Sequence, residues 1–192
     1  MRHYERVKRL FDFTLSALLL GLLALPMIVI GIAVKFSSDG PIVFWSSRIG
    51  LQNRQFRMPK FRTMSVHAPA VATHLLTNPE SYITKFGNFL RKTSLDELPQ
   101  LLSVIKGDMS LVGPRPALFN QEDLIHLRTE KGIHLLVPGM TGWAQINGRD
   151  ELAISAKVDI DDFYLKHRCF ALDLRILFMT LFSVAGSKGI VH

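Results

Sequence analysis

The segment from 13 to 34, FTLSALLLGLLALPMIVIGIAV, runs 22 residues without a charged side chain. A helix of that length covers the hydrocarbon core of a bilayer, roughly 30 Å thick. It exceeds the apolar region of a cleaved signal peptide, usually about 7–15 residues, and no small-x-small cleavage site precedes Lys35. Contact with a membrane is therefore the first constraint on the chain. Arg2, Arg6, Lys8 and Arg9 precede the segment, and Lys35, Arg48, Arg54, Arg57, Lys60 and Arg62 follow it. Basic flanks favour the cytoplasmic side, so both ends are drawn to one compartment. Pro26 lacks an N–H and crowds the carbonyl four residues back, so a kink is expected there. Residue physics leaves open both a spanning helix and one that enters and returns, because spanning helices also tolerate proline.

Beyond this segment the chain is too polar for a polytopic membrane protein: 20% of its 192 residues are charged, with nine prolines and thirteen glycines. The length suits one functional unit, drawn as a membrane anchor over 1–36 and a globular domain over 37–192. A formal charge of +7 suits an anionic partner: nucleic acid, a phospholipid surface or a phosphorylated substrate. The single Cys169 forms no internal disulfide and is expected as a packed thiol.

The periodicities indicate a mixed α/β fold, a small sheet with several helices. Ser37 to Pro41 is a turn signal, and Ile42-Val43-Phe44-Trp45 reads as a strand. From Phe56 to Met64 apolar residues alternate with basic or polar ones, giving a greasy face and a cationic face that suits either phosphate or a defended sheet edge. Residues 65 to 81 show no period. Leu98, Leu101, Leu102, Ile105 and Met109 repeat at helical spacing, with Pro99 in the first turn and Ser94 or Thr93 as N-cap. Asp96 and Glu97 therefore fall at a helix start, where free N–H groups favour carboxylate and phosphate alike.

Gly107 ends that helix, and Pro114-Arg115-Pro116 forms a stiff loop around one arginine. Residues 117 to 136 read as helical. Pro138 to Arg149 is a glycine-rich loop with polar amides but without the lysine pattern of a P-loop. Asp159, Asp161 and Asp162 are expected on the solvated face of a helix over 157–168. The apolar tail from Leu172 to Gly186 carries Asp173 and Arg175, and is expected as an interfacial or buried helix.

Paired carboxylates serve as glycosidase acid and base, as Mg²⁺ ligands, or as nucleophile with a supporting acid. Sequence neighbours rarely face each other across a sugar, whereas one can hold metal while the other attacks. Arg91 and Arg115 bring guanidinium groups suited to diphosphate, which favours phosphoryl transfer.

Five motifs carry a family resemblance: Lys8-Arg9-Leu10-Phe11-Asp12, Lys60-Phe61-Arg62-Thr63-Met64, Thr93-Ser94-Leu95-Asp96-Glu97-Leu98-Pro99-Gln100, Gly113-Pro114-Arg115-Pro116 and Pro138-Gly139-Met140-Thr141-Gly142-Trp143. Together, from about residue 3 to residue 185, they resemble the bacterial sugar transferases, small monotopic phosphoglycosyl transferases acting on undecaprenyl phosphate. Larger relatives carry further transmembrane helices before this core, and the chain resembles the minimal form. The resemblance implies that Asp96 attacks the β-phosphorus of a UDP-sugar, releasing UMP and leaving a phosphosugar-aspartyl intermediate. Polyprenyl phosphate then takes the phosphosugar. It further implies Mg²⁺ held by Asp96 and Glu97, and phosphate contacts from Arg91, Arg115, Lys60 and Arg62. The nucleotide or sugar would be enclosed by a loop containing Gly139, Thr141, Gly142, Trp143 and Arg149.

The same resemblance implies a re-entrant helix broken at Pro26, although Leu25 stands where the family often has serine. It places the protein in the bacterial inner membrane, against phospholipids, with its site on the cytoplasmic face. An N-acetylated, deoxygenated hexose is the sugar expected on this basis, and a homodimer is allowed by the apolar surface. The rival reading is a non-catalytic, membrane-anchored basic binding protein. It leaves the acids, arginines and glycine-rich loop unexplained, and no aromatic-basic repeat is present for stacking bases, which argues against nucleic acid.

Overall fold

The apolar segment lies inside one long helix, α1 (Arg2–Ser37), in the computed structural model, which describes residues 2–68, 79–148 and 152–185. Pro26 is inside α1. Among the described residues this is the one helix long and apolar enough to cross a membrane. Its 36 residues extend about 54 Å at the usual helical rise.

After α1 the chain forms a hairpin of β1 (Val43–Ile49) and β2 (Gln55–Phe61), paired antiparallel with Val43 opposite Phe61. Short helices α2 (Pro79–Tyr82) and α3 (Lys85–Lys92) follow, then a 3-10 turn over Leu95–Glu97 and α4 (Gln100–Lys106). Strand β3 (Ser110–Val112) pairs in parallel with β4 (Gly139–Thr141), and between them lie α5 (Glu122–Glu130) and a 3-10 turn at Ile133–Leu135. The one helix expected over 117–136 is thus two shorter pieces, separated at Gly132, whose φ of +74° is left-handed. Helices α6 (Trp143–Ile146), α7 (Ile154–His167) and α8 (Phe170–Ala185) complete the mixed α/β fold.

Helix α1 lies along the rest of the fold. One stripe, Asp12, Ser16, Ile30 and Val34, is buried, while Leu18, Leu22, Leu25, Val29 and Ile32 stand exposed. Its first half packs Phe11, Leu15, Leu19 and Leu20 against a core containing Leu101, Val104, Met109, Leu111 and Ile176. Its second half packs Met27, Ile30 and Val34 against Phe61, Leu90, Leu95 and Leu98.

Polar groups fix this docking at both ends. Near the start, Lys8 donates to Asp173 at 2.9 Å, and Arg9 reaches the α4 carbonyls of Val104 and Ile105 at 2.5 and 2.7 Å. Asp12 accepts from the Ser110 hydroxyl at 2.6 Å. The Lys8-Arg9-Leu10-Phe11-Asp12 motif therefore clamps α1 to α4, β3 and α8. At the other end Arg62, 5% exposed, donates to the carbonyls of Ser38 (2.6 Å), Val34 (3.4 Å) and Pro41, placing a cation at the helix C-terminus.

Two expectations are corrected by burial. Cys169 is exposed rather than packed. Asp161 is buried, 1% exposed, instead of solvated. Asp173, within the apolar tail, is 2% exposed and accepts hydrogen bonds from Tyr4, Lys8 and Tyr164, which makes it the polar anchor of α8.

A candidate active site around Asp96

Residue parity explains how Lys60 enters the site. Side chains two apart on a strand share a face, so Lys60 follows Phe56 and Met58 rather than Arg57. Met58 is 2% exposed, and Pro59 interrupts the apolar alternation, so the expected cationic face splits. Arg57 lies over the Trp45 ring at 5.8 Å, whereas Lys60 points inward to Glu97 Oε1 at 2.7 Å.

Helix α3 delivers Arg91. Thr84 caps it by accepting from the Gly87 amide at 2.8 Å. Gly87 lies so close to residue 63 that a Cβ would stand 2.1 Å from the Thr63 carbonyl oxygen. That approach lets Arg91 Nε donate to Thr63 Oγ1 at 2.9 Å.

Between α3 and the acids, Ser94 adopts φ 56°, ψ 16°, and makes no side-chain cap. The expected N-cap is thus a left-handed residue, and Thr93 is instead the C-cap of α3. A non-glycine residue in this region costs roughly 1–2 kcal/mol, and such strain commonly marks functional turns. The reversal puts Asp96 and Glu97 in a 3-10 turn next to Lys60, Arg91 and Arg115. The helical repeat expected from Leu98 to Met109 is shorter, with Leu102 exposed.

The two acids differ electrostatically. Glu97 receives Lys60 and Arg115 Nη2 on Oε1, at 2.7 and 2.8 Å. Burial would raise its carboxyl, but Arg115 and Lys60 outweigh that and hold it well below the usual carboxylate range. Asp96 is 5% exposed, and no donor among the described residues reaches Oδ1. Burial, the largest cause, pushes its carboxyl up to about 6; Lys60 and the arginines oppose this, and the charge of Glu97 adds to it. Burial likewise lowers the Lys60 ammonium, against the pull of Glu97.

These environments bear on metal binding. No group of three or more His, Cys, Asp or Glu side chains forms a metal cage among the described residues. Mg²⁺ commonly uses one or two carboxylates and completes its shell with water and substrate phosphate. The buried Oδ1 of Asp96, which no donor among the described residues reaches, fits that role, while Oε1 of Glu97 is already held by two cations.

The remaining predicted residues divide. Arg115 joins the site, but Arg62 stands apart, its guanidinium closing the end of α1. Gly139 and Gly142 pack on Gly113: added Cβ atoms would stand 2.1 Å from the Gly113 nitrogen and oxygen, respectively. Their role in the fold is a backbone crossing that seats the Arg115 loop. Thr141 hydrogen-bonds Thr180 of α8 at 2.7 Å, and Trp143 stacks on Phe163 with Arg175 over its ring. Arg149 lies outside the described residues. Gly139→Ala should destabilise the fold by about 3 kcal/mol or more, because all three atoms that its Cβ would meet, two of Gly113 and one of Thr141, are backbone. Thermal melting in detergent would measure this, and an unchanged melting temperature would contradict the crossing.

Sequence reading missed Arg128 and the buried identity of Asp161. Arg128 donates to Asp161 Oδ2 at 3.0 Å through Nε, and to the Arg115 carbonyl at 2.8 Å through Nη1. A hydrophobic residue at every third or fourth position cannot distinguish the buried Asp161 from the exposed Asp159 or the partly exposed Asp162.

The chain is 42% identical over 186 residues to the uncharacterized sugar transferase EpsL of Bacillus subtilis, covering 96% of this chain and 90% of that protein. It is 39% identical over 193 residues to the UDP-glucose:undecaprenyl-phosphate glucose-1-phosphate transferase of Escherichia coli, covering 97% of this chain but 40% of that protein. An Aeromonas hydrophila UDP-N-acetylgalactosamine-undecaprenyl-phosphate N-acetylgalactosaminephosphotransferase is 32% identical, with 97% of this chain and 45% of its own length aligned. Residues 3–187 match the model of the bacterial sugar transferases, and with these relatives that match shows that the chain belongs to the bacterial sugar transferase family.

Proposed function

We propose that this protein transfers a sugar 1-phosphate from a UDP-sugar to undecaprenyl phosphate through Asp96. The observation carrying the proposal is a buried, poorly solvated carboxylate set beside a second acid, a lysine and two arginines. The names of the Escherichia coli and Aeromonas relatives support the donor and acceptor classes.

In the first step an Asp96 oxygen bonds to the β-phosphorus, and the bond from that phosphorus to the bridging oxygen breaks. UMP leaves with the electron pair, and the sugar phosphate remains on Asp96. In the second step an oxygen of undecaprenyl phosphate bonds to the same phosphorus, and the aspartyl oxygen departs as carboxylate. Lys60, Arg91 and Arg115 offset charge as the diphosphate opens, and Glu97 holds Lys60 and Arg115 toward it. Mg²⁺, when bound through Asp96, would neutralise diphosphate charge.

The docking of α1 supports a membrane-surface site. Leu95 and Leu98, which bracket the acids, pack on Met27, Ile30 and Val34 of the apolar helix. A helix crossing the bilayer upright would carry these elements to its own depth in hydrocarbon. Although α1 runs unbroken through Pro26, a bend there that returns the helix to the cytoplasmic face would set its exposed leucines, with Leu174, Phe178, Leu181 and Phe182 of α8, against lipid.

Purified protein with Mg²⁺, undecaprenyl phosphate and a panel of UDP-sugars should release UMP. Asp96 must be ionised to attack, so kcat/KM should fall about tenfold per pH unit below pH 6 and level off above it. No UMP from any member of the panel would overturn the assignment; release with a flat acid limb would remove Asp96 as its source.

A further inference from the structure

Arg115 sits between two residues that have no backbone N–H, so its segment is fixed chiefly through carbonyl oxygens. Each successive carbonyl has a donor. Gly139 N donates to Pro114 O at 2.9 Å, Arg128 Nη1 to Arg115 O at 2.8 Å, Arg48 Nη1 to Pro116 O at 3.1 Å, and Ile49 N to Ala117 O at 2.9 Å. The carbonyl of Arg115 itself is held by a side chain, from α5. That side chain is held in turn by α7, since Nε and Nη2 of Arg128 both donate to Asp161 Oδ2, at 3.0 and 2.5 Å.

We infer that Arg128, anchored on Asp161, is a positioning residue that fixes Arg115 against Glu97 and the substrate diphosphate. The inference rests on the proposed reaction for its kinetic meaning. Arg128 and Asp161 have side chains only 11% and 2% exposed. Burying such a pair costs solvation and is often no more stabilising than an apolar substitute, so stability alone is a poor reason for an ion pair here. Its forked geometry does what an apolar pair cannot, with one edge on a carboxylate and the remaining nitrogen on a carbonyl. Behind the loop lies a cavity of about 30 Å³ lined by Pro114, Arg115, Pro116, Arg128, Ile133 and His134. Without the grip of Arg128, the loop has space into which it can settle, drawing the Arg115 guanidinium off Glu97.

A double-mutant cycle separates positioning from general support. Arg128→Gln combined with Asp161→Asn avoids leaving a buried charge unpaired, and melting curves report folding. In UMP release this variant should lose roughly 100-fold in kcat, the scale expected when a catalytic group is displaced by about 1 Å. Added to Arg115→Ala, the same changes should cause almost no further loss, because the group they position is gone. Arg128→Lys should remain impaired, since an ammonium lacks the fork, and guanidinium ion should partly restore Arg128→Ala. Multiplying losses in the cycle, or full activity of Arg128→Lys, would overturn the inference. If the wild type releases no UMP, the proposed reaction fails separately. The same cycle is then read on the melting-temperature rise given by UDP with Mg²⁺: a non-additive loss of that rise supports the positioning role, and an additive or absent loss refutes it.

Discussion

Asp96→Asn is expected to lose UMP release by roughly 10⁴-fold or more, the scale seen when a covalent nucleophile is removed, while melting at a higher temperature than the wild type. Both effects follow from one environment. The amide keeps the size of the carboxyl but has no anionic oxygen to bond to phosphorus, so no phosphosugar adduct should be trapped by mass spectrometry. The stability effect has a definite sign. Burial raises the Asp96 carboxyl from its ordinary value of 3.8 to about 6 in the folded protein. A group raised in this way contributes its full stability below pH 3.8 and loses it as pH rises through 6. Asparagine carries no proton to lose. At alkaline pH the variant should therefore be more stable by on the order of 2 kcal/mol, raising the melting temperature by several degrees. The gain should vanish in acid. An adduct on the variant would remove Asp96 as nucleophile, and a variant less stable at alkaline pH would contradict the account of its burial.

Much of this site was legible in the sequence, for identifiable reasons. The acids stood out because Pro99 permits only a first-turn position and the apolar spacing resumes after it. Gly107 marked a helix end correctly, with φ at +99°. What sequence could not supply was the third dimension of each motif. Lys60 and Arg62 occupy equivalent parity on one extended run, yet the strand ends at Phe61, and Arg62 turns to the α1 terminus instead of the site. Gly139 and Gly142 stand in a glycine-rich loop expected to enclose nucleotide or sugar, and the need for their missing Cβ atoms against Gly113 is not visible in the sequence. Asp161 looked like the acids around it because its partner Arg128 lies 33 positions away. The apolar helix was plain from composition, whereas its docking depends on Asp12, Arg9 and Lys8 meeting Ser110, α4 and Asp173.

Glu97→Gln should be the most disruptive conservative change in the site. One oxygen of Glu97 accepts from both Lys60 and Arg115, whose side chains are 15% and 29% exposed. The amide removes the negative charge and turns an N–H group toward one of these cations. Arg115 already disfavours the charged form of Lys60, and Glu97 is the largest influence opposing that and the cost of burial. Breaking a buried ion pair on one side typically costs about 3–5 kcal/mol, so the melting temperature should fall by roughly 10 °C. With Arg115 no longer held, UMP release should fall roughly 10²–10³-fold, as on loss of one electrostatic contact to a transition state. The same variant decides the job of this acid. If Glu97 organises cations, Mg²⁺ dependence stays near that of the wild type, and UDP with Mg²⁺ restores stability by lending its diphosphate charge to Lys60 and Arg115. If Glu97 instead ligates Mg²⁺, half-maximal activity requires far more of the metal while the melting temperature hardly moves. Two cations on a single carboxylate oxygen favour the first outcome, because a metal there would have to displace one of them.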